Sequence, residues 1–222
     1  GVTMKKPTAL VFDLDGTLLN TLASLASAFN QALEQMGHPP NPVVNYRNII
    51  GDGARTAALR ALPFSSHSNE EIKRCLTLFR DAYHQSWQSA TIYPGITDLL
   101  GSLPPDIPLV VLSNKDDFFT QKCVDHYFPD RFRLVIGASD TVKHKPDPSG
   151  AFYIAEQLQT KVDRLWMIGD TATDMRTASN SGMKGIGVLW GFRERNELTD
   201  HGASHLLKDP MDLLHLLEDR EY

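Results

Sequence analysis

Short apolar runs recur along the chain at Ala9-Leu10-Val11-Phe12, Leu109-Val110-Val111-Leu112, Leu134-Val135-Ile136, Leu165-Trp166-Met167-Ile168 and Gly185-Ile186-Gly187-Val188. The segments between them are long enough for helices. These runs are apolar at odd and even positions alike, the pattern of strands covered on both faces. The alternation therefore predicts an α/β fold, a doubly wound parallel-sheet (Rossmann-like) core with helical crossovers.

One interval breaks the rhythm. About ninety residues separate the first run from the second, where a simple crossover needs about a dozen. Helical periodicity runs through residues 22–36, 54–62 and 70–87, with breaks at Gly37-His38-Pro39-Pro40 and Leu62-Pro63. This predicts an inserted all-helical cap domain at 20–92, and an α/β catalytic core at 4–19 and 93–222. Two linkers, near Leu19-Asn20 and near Ile92-Tyr93, are expected to act together as a hinge, and Tyr93-Pro94-Gly95 marks the return to the core.

The remaining composition narrows the class of partner. In 222 residues, 22 basic side chains face 27 acidic ones, a formal net charge of −5, which gives no general attraction for nucleic acid or an anionic membrane. No apolar stretch approaches the roughly 18 residues of a membrane span, and no signal-like hydrophobic region follows Lys5-Lys6-Pro7, so a cytoplasmic location is expected. Cys75 and Cys123 lie in separate amphipathic stretches without a Cys-x-x-Cys spacing and read as reduced packing thiols. Of the remaining charged residues, His201 and His205 do not read as a metal pair, and Arg193 and Arg195 beside Glu194 read as solvated surface charges.

Ligands of open α/β sheets bind beyond the carboxyl ends of the strands. Here those ends carry Asp13-Leu14-Asp15-Gly16-Thr17, Ser113-Asn114-Lys115, Lys143-His144-Lys145-Pro146 and Gly169-Asp170-Thr171-Ala172-Thr173-Asp174. Hydrolysis of a phosphate ester needs a nucleophile, a proton for the departing alkoxide, and positive charge on the non-bridging oxygens. Asp13 can attack phosphorus, and Asp15, two residues on and freed by a turn at Gly16, can serve as acid and then base. Carboxylates meeting a phosphate need a hard cation between them, and an all-oxygen set suits Mg2+. Asp13, Asp170 and the Asp15 carbonyl are the expected ligands. Asp174 is expected outside that set, holding a metal-bound water or orienting Lys145. Ser113 with its neighbouring amides and Lys145 are expected to bind the phosphoryl oxygens, and Thr17 and Asn114 stand beside them as substrate-binding candidates.

In order and placement these motifs resemble those of the haloacid dehalogenase superfamily: Asp13-Leu14-Asp15-Gly16-Thr17, Ser113-Asn114, Lys145, and Gly169-Asp170 with Asp174. The resemblance spans nearly the whole chain, and a helical cap after the first motif is a family layout. It implies Asp13 as nucleophile and metal ligand, Asp15 as acid/base and carbonyl ligand, Asp170 as metal ligand, and Ser113 and Lys145 on the phosphate. The second carboxylate argues for phosphoryl transfer over dehalogenation. Lys73, the cap lysine that a Schiff-base mechanism would need, follows Glu70-Glu71 and reads as a solvated helix residue.

Ile49-Ile50-Gly51-Asp52-Gly53-Ala54-Arg55 and Leu189-Trp190-Gly191-Phe192 are similar to segments of the phosphoglycolate phosphatase subgroup. There a glycine-flanked turn opening a helix could present amides to a small carboxylate, with Arg55 adding charge. Gly51, Asp52, Gly53 and Arg55 are thus expected substrate contacts, although Asp52 stands where the subgroup is expected to carry asparagine. The resemblance implies 2-phosphoglycolate as favoured substrate. A sugar phosphate, a nucleoside monophosphate, pyrophosphate, a phosphomutase outcome or a non-catalytic partner-binding role are the alternatives, in a monomer or dimer.

Overall fold

The computed structural model describes residues 5–219, so Met4 and residues 220–222 of the expected core lie outside the described residues. The chain runs β1 (Ala9–Phe12), β2 (Leu19–Asn20), α1 (Leu22–Gln35), α2 (Tyr46–Ile49), α3 (Ala54–Ala61), α4 (Asn69–Ser86) and β3 (Thr91–Ile92). It continues through α5 (Ile96–Ser102), β4 (Leu109–Asp116), α6 (Asp117–Tyr127), β5 (Leu134–Ala138) and α7 (Ser149–Gln157). The last third is β6 (Leu165–Gly169), α8 (Ala172–Ser181), β7 (Lys184–Val188), α9 (Arg195–Asp200), β8 (His205–Leu207) and α10 (Met211–Glu218). Six strands form a parallel sheet in the order β5-β4-β1-β6-β7-β8, with β1 registered on both neighbours through Leu10↔Leu109 and Leu10↔Trp166.

Successive side chains of a strand point to opposite faces, and the apolar runs fill both. Leu10 and Phe12 of β1 face a layer with Leu99, Val124 and Leu213 from α5, α6 and α10. Ala9 and Val11 face the other layer, with Ile154 of α7 and Ala178 of α8. The expected doubly wound core is the observed one. β1 and β6 sit at its centre and are buried along their whole length, so the residues that follow them leave firmly held backbone.

The insert between β2 and β3 has its own apolar core. Leu25, Phe29, Ala32 and Leu33 of α1 recur at helical spacing and meet Ile72, Cys75, Phe79 and Tyr83 of α4. Phe29 and Phe79 stack with ring centroids 3.9 Å apart. Ser68 starts α4 by accepting from the Glu71 amide, the first half of a capping box. Phe119 and Phe192 enter this cluster from the sheet domain.

Three local features of the observed fold matter for the site. The two linkers pair with each other as an antiparallel ladder, Leu19↔Ile92 and Asn20↔Thr91, because both chain crossings leave backbone groups that need partners. β4 runs on beyond Leu112 to Asp116, with a register shift over that stretch, so Ser113, Asn114 and Lys115 belong to an irregular strand end. A further parallel strand, β8, completes the sheet edge beside β7.

Candidate active site

The ends of β1, β4 and β6 and the segment after β5 converge on one place. Asp13 leaves β1 with its amide still bonded to the Ile168 carbonyl, at 2.9 Å. Its Oδ1 accepts from the Leu14 amide at 2.7 Å and lies 3.2 Å from Lys145 Nζ. Both contacts fall on Oδ1, which leaves Oδ2 as the oxygen to meet an electrophile. Gly16 turns the chain at φ +86°, and a Cβ there would stand 2.2 Å from Asp170 Oδ2, so the turn needs glycine for both conformation and space.

Asp170 follows β6 and is fully buried. Thr17 donates to its Oδ1 at 3.1 Å and the Phe192 amide to its Oδ2 at 3.0 Å. Asp174 is the third residue of α8 and closes a capping box with Thr171: its Oδ2 accepts from the amides of Asp170 and Thr171. Its other oxygen binds Lys145 Nζ at 2.7 Å. Gly169 admits this arrangement, since a Cβ there would lie 2.2 Å from Asp174 Oδ2. Helix capping thus aims the carboxylate that orients the lysine, one of the two roles expected for Asp174.

Asn114 fixes the Lys145 backbone from both sides, accepting from its amide at 2.8 Å and donating to its carbonyl at 3.0 Å. Ser113 is buried on the same strand end, its Oγ accepting from the Lys115 amide. Lys115 Nζ pairs with Asp15 Oδ1 at 2.9 Å, donates to the Tyr83 hydroxyl of α4 and lies 4.5 Å from the centroid of the Tyr83 ring.

The electrostatics of the cluster are unbalanced. Among the described residues, Asp13, Asp170 and Asp174 each offer a carboxylate oxygen within 4.8 Å of the others, and Lys145 is the ammonium bonded to two of them. Burial first, then the charge of Asp174, holds Asp13 well above the usual carboxylate range despite Lys145. The same two causes push Asp170 up to about 7. Burial by itself would lower Lys145, but Asp13 and Asp174 outweigh it and raise the lysine, keeping it charged. Three buried carboxylates against one ammonium leave an excess of two negative charges when all are ionised. A hard divalent cation fits that charge and that all-oxygen donor set. Asp174 is the most committed of the three, with Lys145 on one oxygen and three donors on the other, whereas each oxygen of Asp170 accepts a single bond and Asp13 Oδ2 accepts none among the described residues, so Asp13 and Asp170 are the better-placed side-chain ligands.

A cavity of about 50 Å³ lies against Asp13, Asp15, Ser113, Asn114 and Lys115. Its cap wall is apolar, built from Leu25, Phe29, Ile50, Ala54, Ala57 and Phe79, with Arg80 at one side. Of the expected substrate contacts, Gly51 and Gly53 line the cavity, both at positive φ, and Gly53 opens α3. Asp52 turns away: Thr173 Oγ1 donates to its Oδ1, and Arg60 pairs with Oδ2 at 2.8 Å. Against burial, those partners hold it below the usual carboxylate range. Arg55 is exposed and bonds Asn69, away from the lining, because the α3 start directs it outward. Thr17 serves Asp170 rather than the cavity, being fully buried behind it.

Arg193 corrects the sequence reading most clearly. Its side chain is 11% exposed, pairs with Glu197 at 3.1 Å and donates to the carbonyls of Arg47 and Ile50, so it is no solvated charge, whereas Arg195 is exposed. The sequence reading also gave no role to Lys115, Tyr83, Phe29, Phe79 or Arg80. Lys115 could have been found, since it follows Ser113-Asn114 directly. The aromatics carried no signal beyond helical periodicity.

A family profile described as Haloacid dehalogenase-like hydrolase matches residues 10–188. The chain belongs to the haloacid dehalogenase-like hydrolase family. Among curated members it is 28% identical over 214 residues to the phosphoglycolate phosphatase of Pseudomonas putida strain KT2440, covering 94% of this chain and 79% of that one. Phosphoglycolate phosphatase 1 of Pseudomonas aeruginosa strain PAO1 matches at the same identity and coverage. Among solved structures of the family, a Lactobacillus delbrueckii subsp. bulgaricus protein with the provisional name phosphoglycolate phosphatase superposes with a TM-score of 0.89. It is 32% identical, over 96% of this chain and 99% of that one. The hydrolase motifs expected from the sequence are the residues gathered at the strand ends.

Proposed function

We propose that the protein is a Mg2+-dependent phosphatase of small phosphate monoesters, with 2-phosphoglycolate the favoured substrate, working through a phospho-aspartate on Asp13. The observation that carries the chemistry is Asp13, beside Lys145 and Asp170, on the lining of a small, partly open cavity. Mg2+ held by Asp13, Asp170 and the Asp15 carbonyl would supply charge neutralisation for the phosphoryl oxygens. Lys145, locked by Asp174 and Asn114, adds a fixed positive charge on the same group.

In the first half-reaction Asp13 Oδ2 forms a bond to phosphorus as the ester P–O bond breaks, and Asp15 gives its proton to the departing alkoxide. In the second, Asp15 takes a proton from water as the water oxygen attacks phosphorus. The acyl-phosphate P–O bond then breaks, releasing inorganic phosphate and restoring Asp13. Lys115 occupies Asp15 Oδ1, which leaves Oδ2 as the oxygen to exchange protons with the alkoxide and the water. The helical insert, residues 20–92, acts as the cap that excludes water from the acyl phosphate.

Substrate size supports phosphoglycolate. The cavity is small, and its apolar wall offers few partners to the hydroxyls of a sugar or nucleoside. Lys115 and Arg80 are the cations on the lining beside it. The curated relatives named as phosphoglycolate phosphatases, and the solved one with that provisional name, point the same way. The test is to quench the turning-over enzyme in acid and analyse its peptides. The reading expects a hydroxylamine-labile phosphate on the peptide containing Asp13. Sustained phosphate release with no such label would refute the covalent route.

A further inference from the structure

We propose that Arg193 is a positioning residue that fastens cap residues 47–52 over Asp13, and that Phe192 transmits this fastening to Asp170. The polar bonds from the sheet domain to this stretch of cap converge on a few atoms. Arg193 Nε donates to the Arg47 carbonyl at 2.7 Å and Nη2 to the Ile50 carbonyl at 2.8 Å. Asn114 reaches the Gly51 carbonyl at 3.3 Å, Thr173 reaches Asp52, and Arg47 returns a bond to the Gly191 carbonyl at 2.8 Å. None involves the hinge ladder of β2 and β3.

The chemistry requires arginine. α2 is a single turn, so its terminal carbonyls lack helical partners, and the guanidinium satisfies two of them. Its remaining nitrogen, Nη1, is held by both oxygens of Glu197 at 3.1 Å. Glu197 also accepts from the Ala172 amide at 2.8 Å, so the fork is braced on the start of α8, just after Asp170. A lysine ammonium on a flexible stem cannot hold that planar set of acceptors.

Phe192 makes the connection to the site. Its amide bonds Asp170 Oδ2 at 3.0 Å while its side chain is buried in the cap cluster. A single residue therefore joins a catalytic carboxylate to the apolar core of the cap. Opening the cap must either withdraw the ring from that core or shift the Asp170 bond, so closure and the set of the carboxylate move together. Because Ile50 and Gly51 line the cavity, the same fastening shapes the wall that substrate meets.

The inference has a structural part, and a kinetic part that rests on the phosphatase reading. Hydrogen exchange compares the wild-type protein with Arg193→Met, Arg193→Lys and the milder Glu197→Gln. Exchange in peptides spanning residues 46–53 is expected to quicken by about tenfold or more in Arg193→Met, the scale of one charge-assisted hydrogen bond, with β1 and β6 unchanged. The lysine variant is expected to recover little, and Glu197→Gln to fall between. Where a substrate is turned over, KM should rise by about tenfold with kcat within a few-fold, since saturating substrate restores the closed form. Unchanged exchange in 46–53 overturns the fastening, whatever the substrate. Faster exchange with an unchanged KM overturns the positioning role. A wild-type protein that releases no phosphate would refute the phosphatase reading, and exchange would still decide the fastening.

Discussion

Two regions face the same cavity and are built on opposite plans. At the strand ends Asp13, Lys145, Asp170 and Asp174 are buried, each of these carboxylates accepts from at least two donors, and helix capping and tight glycine turns fix them in place. On the cap side the wall is apolar apart from Arg80 at its edge, and Asp52 and Arg55 point elsewhere, Asp52 to Thr173 and Arg60, Arg55 to Asn69. The difference separates two tasks. Electrostatic chemistry needs preorganised groups on rigid elements, while selection by size needs a well-packed surface that can be moved as one piece.

The comparison breaks first if the strand ends do not carry the chemistry. Asp13→Asn is expected to lower kcat by roughly 10⁴-fold or more, the scale of removing a covalent nucleophile, with an unchanged circular dichroism spectrum. The next largest effect belongs to the wall. Phe79→Ala removes a buried ring stacked on Phe29 and is expected to cost about 3–5 kcal/mol of stability in urea unfolding. In whatever protein remains folded, kcat/KM for a hexose phosphate should rise relative to phosphoglycolate. A ratio that stays fixed would remove the wall from selectivity.

A smaller effect sharpens the electrostatic half. Asp170, pushed up to about 7 by burial and by Asp174, holds a proton in the folded state at pH values where an unfolded aspartate has lost it. By linkage this group makes the metal-free protein less stable as pH rises through that window toward 7. Mg2+ needs the ionised carboxylate, so its affinity should fall by up to about tenfold per pH unit below about 7, measured by calorimetry between pH 8 and pH 6. A flat profile would mean that Asp170 is not titrating against the cation. The smallest expected change is Arg55→Ala: within about 0.5 kcal/mol of wild-type stability and with unaltered KM, as befits an exposed side chain off the lining. A raised KM would return Arg55 to the substrate.

The two plans also differ in how far they can be read from sequence. The sheet was legible because its strands are apolar on both faces, and the motif residues stood out because they are polar immediately after such runs. The geometry among them was legible only in part: Asp174 showed as a carboxylate, but its service to Lys145 follows from being third in a capped helix. In the cap, Phe29 and Phe79 occupy ordinary core positions of amphipathic helices, and nothing local distinguishes a ring that packs a core from one that also faces a ligand. Arg193 was misread because its acceptors are main-chain carbonyls about 145 residues away, which side-chain charge patterns do not report.

The division of labour meets its most direct test in phosphate release by the wild-type protein with Mg2+, comparing kcat/KM for 2-phosphoglycolate, a hexose phosphate and a nucleoside monophosphate. The account predicts a preference for phosphoglycolate of about tenfold or more, set by the apolar wall. Equal rates on all three, or a preference for the larger esters, would contradict it.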